Sequence, residues 1–240
     1  MKLDILVFGA HPDDAELGAG ATIAKEVANG KKVGIVDLTR GELGTRGTAK
    51  IRDKEASEAG KILGVSVREN LEFSDGFFVN DRQHQLEIIR MVRKYQPEIV
   101  LCNAIDDRHI DHGKGAKLVS DACFLSGLVK IDTKVGGDDQ WQNPWRPKIV
   151  YHYIQWKNLK PDFVVDVSDY IKKKTEAILA YSSQFYDPSS DEPETPISSK
   201  NFIDSVNYRA RDLGRLIGVA HAEGFTVERY AAVNRISDLI

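Results

Sequence analysis

The sequence predicts an α/β fold, a Rossmann-like three-layer α/β/α sandwich around a mostly parallel sheet. Three observations carry this: apolar runs of strand length recur along the chain, stretches of helical period separate them, and glycine or proline marks the joints. Residues 3–10, 32–38, 69–73 and 98–103 read as strands. Between and after them, helices are expected over 17–29, 49–63, 82–95 and 113–129. Gly30 ends the first, Gly64 ends the second and Pro97 follows the third. Two further strands, 149–155 and 163–166, precede helices around 170–185 and 201–219. Residues 132–147, with the Gly136-Gly137 pair, and 187–199, with three prolines and four serines, are expected as surface loops.

Bulk composition narrows the function classes. A chain of 240 residues, 42% hydrophobic and 29% charged, is ordinary for a soluble globular protein and fits one domain spanning 1–240. With a net charge of −3 there is no basic excess to attract nucleic acid. Apolar runs are of strand size and interrupted, and the N-terminus lacks the features of a signal peptide, so a cytoplasmic protein without membrane contact is expected. Cys102 and Cys123 lie in apolar stretches and read as two buried thiols rather than a disulfide.

Chemistry concentrates after two of the strands. The first runs into His11-Pro12-Asp13-Asp14, and the one near Asn103 leads to Arg108-His109-Ile110-Asp111-His112. Open α/β sheets bind ligands at these carboxyl ends. His11 and Asp14, three apart across a strand-to-helix turn, direct an imidazole and a carboxylate to one point, and His112 completes a ligand set if the two loops are neighbours. Three nitrogen or oxygen ligands with a fourth position open is the pattern of hydrolytic zinc, although iron or cobalt accepts the same donors. Asp13, beside the ligand Asp14 but pointing elsewhere, is the candidate general base. His109 is placed to donate to a tetrahedral oxyanion, with Asp111 orienting its imidazole and keeping it protonated. The simpler alternatives are that Asp14 caps a helix and that His109, Asp111 and the Asp106-Asp107 pair form a solvated loop. His84 and His152 read as structural. Gly9, Gly18 and Gly20 do not have dinucleotide-binding spacing, and two acids where a pyrophosphate would sit argue against a nicotinamide cofactor.

These residues resemble those of the zinc-dependent N-acetylglucosaminyl deacetylases of the PIG-L or LmbE-like family. Supporting stretches are Thr39 through Gly47 after the second strand, Arg52 through Glu55, and Phe73-Ser74-Asp75-Gly76. The pattern is most similar to members that serve bacillithiol synthesis, whose substrate is N-acetylglucosaminyl malate. The resemblance implies zinc held by His11, Asp14 and His112, with Asp13 as general base and acid and His109 at the oxyanion. It also implies that Glu42, Arg52, Asp75 and Arg108 hold the sugar and its aglycone, and that the chain forms a homo-oligomer, a hexamer among the options. His221, near the C-terminus, reads two ways: as a residue that reaches the substrate, or as a histidine packed at a helix end. Two rival functions stay open, a deacetylase of chitooligosaccharides or other N-acetyl sugars and a non-catalytic Rossmann-like binding module.

Overall fold

A computed structural model describes residues 1–134 and 140–239. Its seven strands are β1 (Ile5–Gly9), β2 (Val33–Thr39), β3 (Val67–Phe73), β4 (Ile99–Cys102), β5 (Ile149–Tyr153), β6 (Phe163–Asp166) and β7 (Ala222–Val227). They form one sheet in the order β3-β2-β1-β4-β5-β7-β6. From β3 to β5 all neighbours are parallel, and β7 runs antiparallel to both β5 and β6.

Strand β1 shows why helices cover both faces. Its five residues are all buried, and they alternate between two cores: Leu6 and Phe8 pack with Val36, Ile88, Val92 and Val119, while Ile5 and Val7 pack with Ile35, Ala19, Ile23 and Ala59. A strand buried on both sides reads as a continuous apolar run, which is what residues 3–10 are. Helices α3 (Arg82–Tyr95) and α4 (Ile110–Leu125) supply the first core, and α1 (Asp14–Ala28), α2 (Ala49–Leu63), α5 (Ile171–Leu179) and α6 (Lys200–Ile217) the second. None of the described helices is long and apolar enough to cross a membrane.

Four elements depart from expectation. Helices α1 and α4 each begin three residues early, at Asp14 and Ile110, because polar first turns carry no apolar signal although Asp14, Glu16 and Asp111 suit a helix N-terminus electrostatically. Helix α5 stops at Leu179 instead of reaching 185, since Ser182 Oγ and the backbone and hydroxyl of Ser183 donate to Glu55 of α2 and draw the chain out of the helix. The sequence predicts a short strand after residues 219–225, and β7 instead already starts at Ala222. Of the 132–147 loop, the Gly136-Gly137 pair lies outside the described residues, whereas Thr133 O accepts from Gln142 N at 2.9 Å.

Candidate metal centre and active site

Strand β1 sits between β2 and β4, so the chain leaves it in opposite directions on its two sides and opens a crevice at the carboxyl ends. The loops that follow β1 and β4 meet there. Asn103, just past β4, joins them: its Oδ1 accepts from Ala10 N at 2.8 Å, and its Nδ2 donates to Asp14 Oδ2 at 2.9 Å and to Gln155 Oε1 at 2.8 Å. Gln155 in turn donates to Asp14 Oδ1 at 2.8 Å. Neither amide stands out in the sequence, although each is a polar residue at the end of an expected apolar strand.

Asp14 lies between the two histidines expected beside it. Its Oδ2 is 3.5 Å from His11 Nδ1 and its Oδ1 is 3.1 Å from His112 Nε2. The outer nitrogen of each ring faces carboxylates: His11 Nε2 lies 3.0 Å from Asp75 Oδ1 and 3.3 Å from Asp111 Oδ2, and His112 Nδ1 lies 2.7 Å from Asp107 Oδ2. Carboxylates there hold a proton on the outer nitrogen and turn the inner nitrogen toward Asp14, as around metal-ligating histidines. Nitrogens of His11, His109 and His112 also come within 4.8 Å of one another, and so do ligand atoms of His11, Asp75 and Asp111.

Electrostatics match a cation. Burial opposes charge on both rings, yet Asp111, Asp14 and Asp75 hold His11 well above the ordinary imidazole range, and Asp14 and Asp107 raise His112 to about 9. Burial also works against the Asp14 carboxylate, but His112 and His11 keep it well below the usual range. The cluster therefore attracts positive charge, which a proton or a divalent ion satisfies, and the imidazoles of His11 and His112 with the Asp14 carboxylate between them fit such an ion in donor type.

Asp13 precedes α1 with φ 114°, a left-handed conformation that a non-glycine residue adopts only when held there. Arg52 Nη2 does the holding, donating to Asp13 Oδ2 and to Pro12 O, both at 2.8 Å, while its Nη1 reaches Gly41 O at 3.3 Å. The φ of 63° at Gly41 favours glycine: a Cβ there would lie 2.0 Å from Arg52 Nη1 and push the guanidinium off Asp13. Burial pushes the Asp13 carboxyl up to about 7 against the pull of Arg52.

His109 caps α4, its Nδ1 accepting from Asp111 N at 3.3 Å. Here one expectation is corrected. The Asp111 carboxylate does not orient His109; it points back to His11 Nε2, Gly76 N and Lys114 Nζ, because Asp111 lies in the first turn of the helix with its side chain on the His11 side. Burial and the fields of His11 and His112 lower the His109 pKa, so its imidazole is neutral rather than kept protonated. Since Nδ1 accepts the cap bond, the remaining proton lies on Nε2.

A cavity of about 500 Å³ opens over these groups, lined by His11, Asp13, Asp14, His109 and His112. Arg52 and Arg108 also line it. Arg108 is exposed, its guanidinium 4.5 Å from the Trp156 ring centroid, whereas Arg52 is buried on Asp13. Asp75 lines the cavity but spends its oxygens on His11 and on Leu43 N, and Glu42, exposed and not itself among the lining residues, reaches the site only by accepting from Asp75 N at 2.8 Å. His221 is the second correction: it does not line the cavity, because its backbone is bound to Ser168 and Val167 beside the β6–β7 edge of the sheet. Asp107, expected as partly solvated loop, instead holds His112. His84 and His152 are structural, the first stacked edge-on against Phe73 and the second 3.0 Å from Glu228.

Comparison with known proteins gives the family and the fold. The model of the family described as GlcNAc-PI de-N-acetylase, PIG-L, matches residues 6–123. A diacetylchitobiose deacetylase from Thermococcus kodakarensis is 31% identical over 193 residues, covering 75% of this chain and 70% of that protein. Among solved structures, a conserved protein from Thermus thermophilus superposes with a TM-score of 0.83 at 35% identity, covering 97% of this chain and 98% of that one. The N,N'-diacetylchitobiose deacetylase from Pyrococcus horikoshii, complexed with its inhibitor, gives 0.78 at 25% identity over 98% of this chain and 88% of that one. The chain belongs to the PIG-L family of de-N-acetylases.

Proposed function

We propose that the protein, as one deacetylase domain over residues 1–240, removes the acetyl group from an N-acetylglucosamine conjugate by metal-assisted hydrolysis, with N-acetylglucosaminyl malate as the leading substrate. The observation that carries the reading is a carboxylate-backed histidine pair around Asp14 with a second acid, Asp13, held beside it by Arg52. His11, Asp14 and His112 would hold zinc, which when bound would supply Lewis acidity toward a water and the amide carbonyl. Asp13 takes the proton of the attacking water and returns one to the departing amine, a task suited to a carboxyl whose pKa lies near neutrality. Arg52 fixes the direction of that carboxylate. His109 donates from Nε2 to the oxygen that gains charge, and the cap bond at Nδ1 keeps the proton on that side.

Substrate recognition falls to the rim. Glu42 accepts from sugar hydroxyls, Asp75 buttresses His11, and Arg108 offers its fork to an aglycone carboxylate. A second reading, a chitooligosaccharide deacetylase, is favoured by the similarity to diacetylchitobiose deacetylases. Cytoplasmic location and homo-oligomeric assembly belong to the same proposal, and sedimentation tests the latter. The decisive measurement is acetate release from N-acetylglucosaminyl malate and from diacetylchitobiose, before chelation, after it and with zinc restored. Turnover that vanishes and returns is expected, with malate conjugate preferred. Release that ignores chelation, or none from either sugar, overturns it.

A further inference from the structure

The family match ends at residue 123, and every residue of the metal cluster lies before it. Much of the opposite wall of the cavity comes from later in the chain: Trp156 follows β5, and Phe202, Val206 and Arg209 line it from α6. Planar groups stack into a column there. The Arg108 guanidinium covers the Trp156 ring at 4.5 Å, Trp156 stacks on Phe202 at 5.5 Å and 20°, and Phe202 stacks on Phe185 at 5.9 Å and 2°. Arg209 is tied to the same tryptophan from its backbone side, Nη2 donating to Trp156 O at 2.6 Å. One residue thus brackets two guanidinium groups within one cavity.

Their charges are unspent. Among the described residues no carboxylate lies within ion-pair distance of Arg108 or Arg209, and Arg209 Nε is buried with no protein acceptor. Asp107, whose field reaches Arg209, uses its oxygens on His112 and on the N–H groups of Trp156 and Lys157. Asp13, Asp14 and Asp75 are likewise taken by Arg52 and the histidines. A buried donor without an acceptor is costly, and two fork-shaped donors facing one cavity match the planar oxygens of an anion.

We infer that Arg209 and Arg108 form a two-armed clamp for an anionic group, carboxylate or phosphate, on the aglycone, with Arg209 the specificity-determining residue contributed by α6. The inference rests on the deacetylase reading above and adds a residue outside the family's matched region. It also explains how an anion is gripped although Arg52 is committed to Asp13.

The test compares kcat/KM for N-acetylglucosaminyl malate, N-acetylglucosamine 1-phosphate and methyl N-acetylglucosaminide in wild type, Arg209→Met, Arg209→Lys and Arg108→Met. Hydrogen bonds to charged groups contribute enough that Arg209→Met should lower the ratio of anionic to neutral kcat/KM by about 10-fold or more, chiefly through KM. Arg209→Lys, which keeps the charge but loses the fork and packs similarly, should lower it less, and Arg108→Met should act in the same direction. Whichever anion loses more identifies carboxylate or phosphate as the natural group. An unchanged ratio in both Arg209 variants, or a wild type that prefers the neutral sugar, overturns the clamp while leaving the deacetylase reading intact. No acetate release from any of the three sugars by the wild type overturns both.

Discussion

At the scale of single residues, the arrangement around Asp13 separates two tasks that the sequence places side by side. Asp14 is held from four directions, by His11 N, Asn103, Gln155 and the histidine rings, which fixes its carboxylate in place as the proposed ligand role requires. Asp13 points elsewhere because its backbone is left-handed, and it has one side-chain partner, Arg52. Resemblance alone assigns Arg52 to the substrate, and geometry gives it the base. The two roles predict different kinetics. If Arg52 positions Asp13, Arg52→Met should lower kcat by roughly 100-fold, the scale of a misplaced catalytic group, with similar losses on malate and neutral conjugates and bound metal retained. A selective rise in KM for the malate conjugate would return Arg52 to substrate binding. What makes His11, Asp13, Asp14, His109 and His112 legible is their compact spacing in two short clusters after strands. Asn103, Asp107, Gln155 and Arg209 are not legible, because their partners are 5 to 141 residues away or are backbone groups, and nothing local marks them.

At the scale of elements, legibility follows local punctuation. Helices α2 and α3 have the expected bounds because Thr48 and Asp81 cap their first turns and Gly64 closes α2 in a left-handed conformation. Strand β7 carries no such mark: Ala222-Glu223-Gly224-Phe225 is strand only because β5 and β6 flank it, and Glu223 is tolerated inside only by its 2.6 Å contact with Lys174 and the N–H groups of Ala21 and Thr22. Where β7 ends, His152 of β5 joins three segments. Its Nδ1 lies 2.9 Å from Asn103 O and 3.3 Å from Cys102 Sγ, and its Nε2 lies 3.0 Å from Glu228. Burial disfavours the imidazolium, but Cys102, Glu228 and the Asn103 carbonyl outweigh it and raise the pKa to about 11. A group raised from an ordinary value near 6.5 stabilises the fold fully below that pH and loses its contribution as pH rises toward 11. The urea midpoint of the wild type should therefore fall between pH 7 and pH 10 more steeply than that of His152→Gln. Parallel slopes would show that the junction does not hold a proton.

Across the whole molecule, charge is distributed unevenly: a net charge of −3 is small, yet Asp13, Asp14, Glu16, Asp37, Asp75 and Asp111 are all buried near the carboxyl-end crevice of the sheet. Arg52 and Arg68 oppose part of this, Arg68 by pairing with Asp37 and Glu16, and Lys114 pairs with Asp111. Buried carboxylates without full compensation cost stability, so the fold as a whole is coupled to whatever cation the histidine cluster takes. Because β1, β4, α1 and α4 all end or begin at that cluster, a bound ion stabilises both cores together. An ion at 100 times its Kd contributes about 2.7 kcal/mol, which for a chain of this length raises Tm by roughly 5 to 11 °C. Zinc added to chelator-treated protein should produce a shift of that size in differential scanning calorimetry, and His11→Ala or His112→Ala should abolish it. His152→Gln should keep the shift while lowering the starting Tm, which separates the metal's contribution from that of the distant histidine. A full zinc shift in the His11→Ala and His112→Ala proteins would place the ion elsewhere and detach the cluster from metal binding.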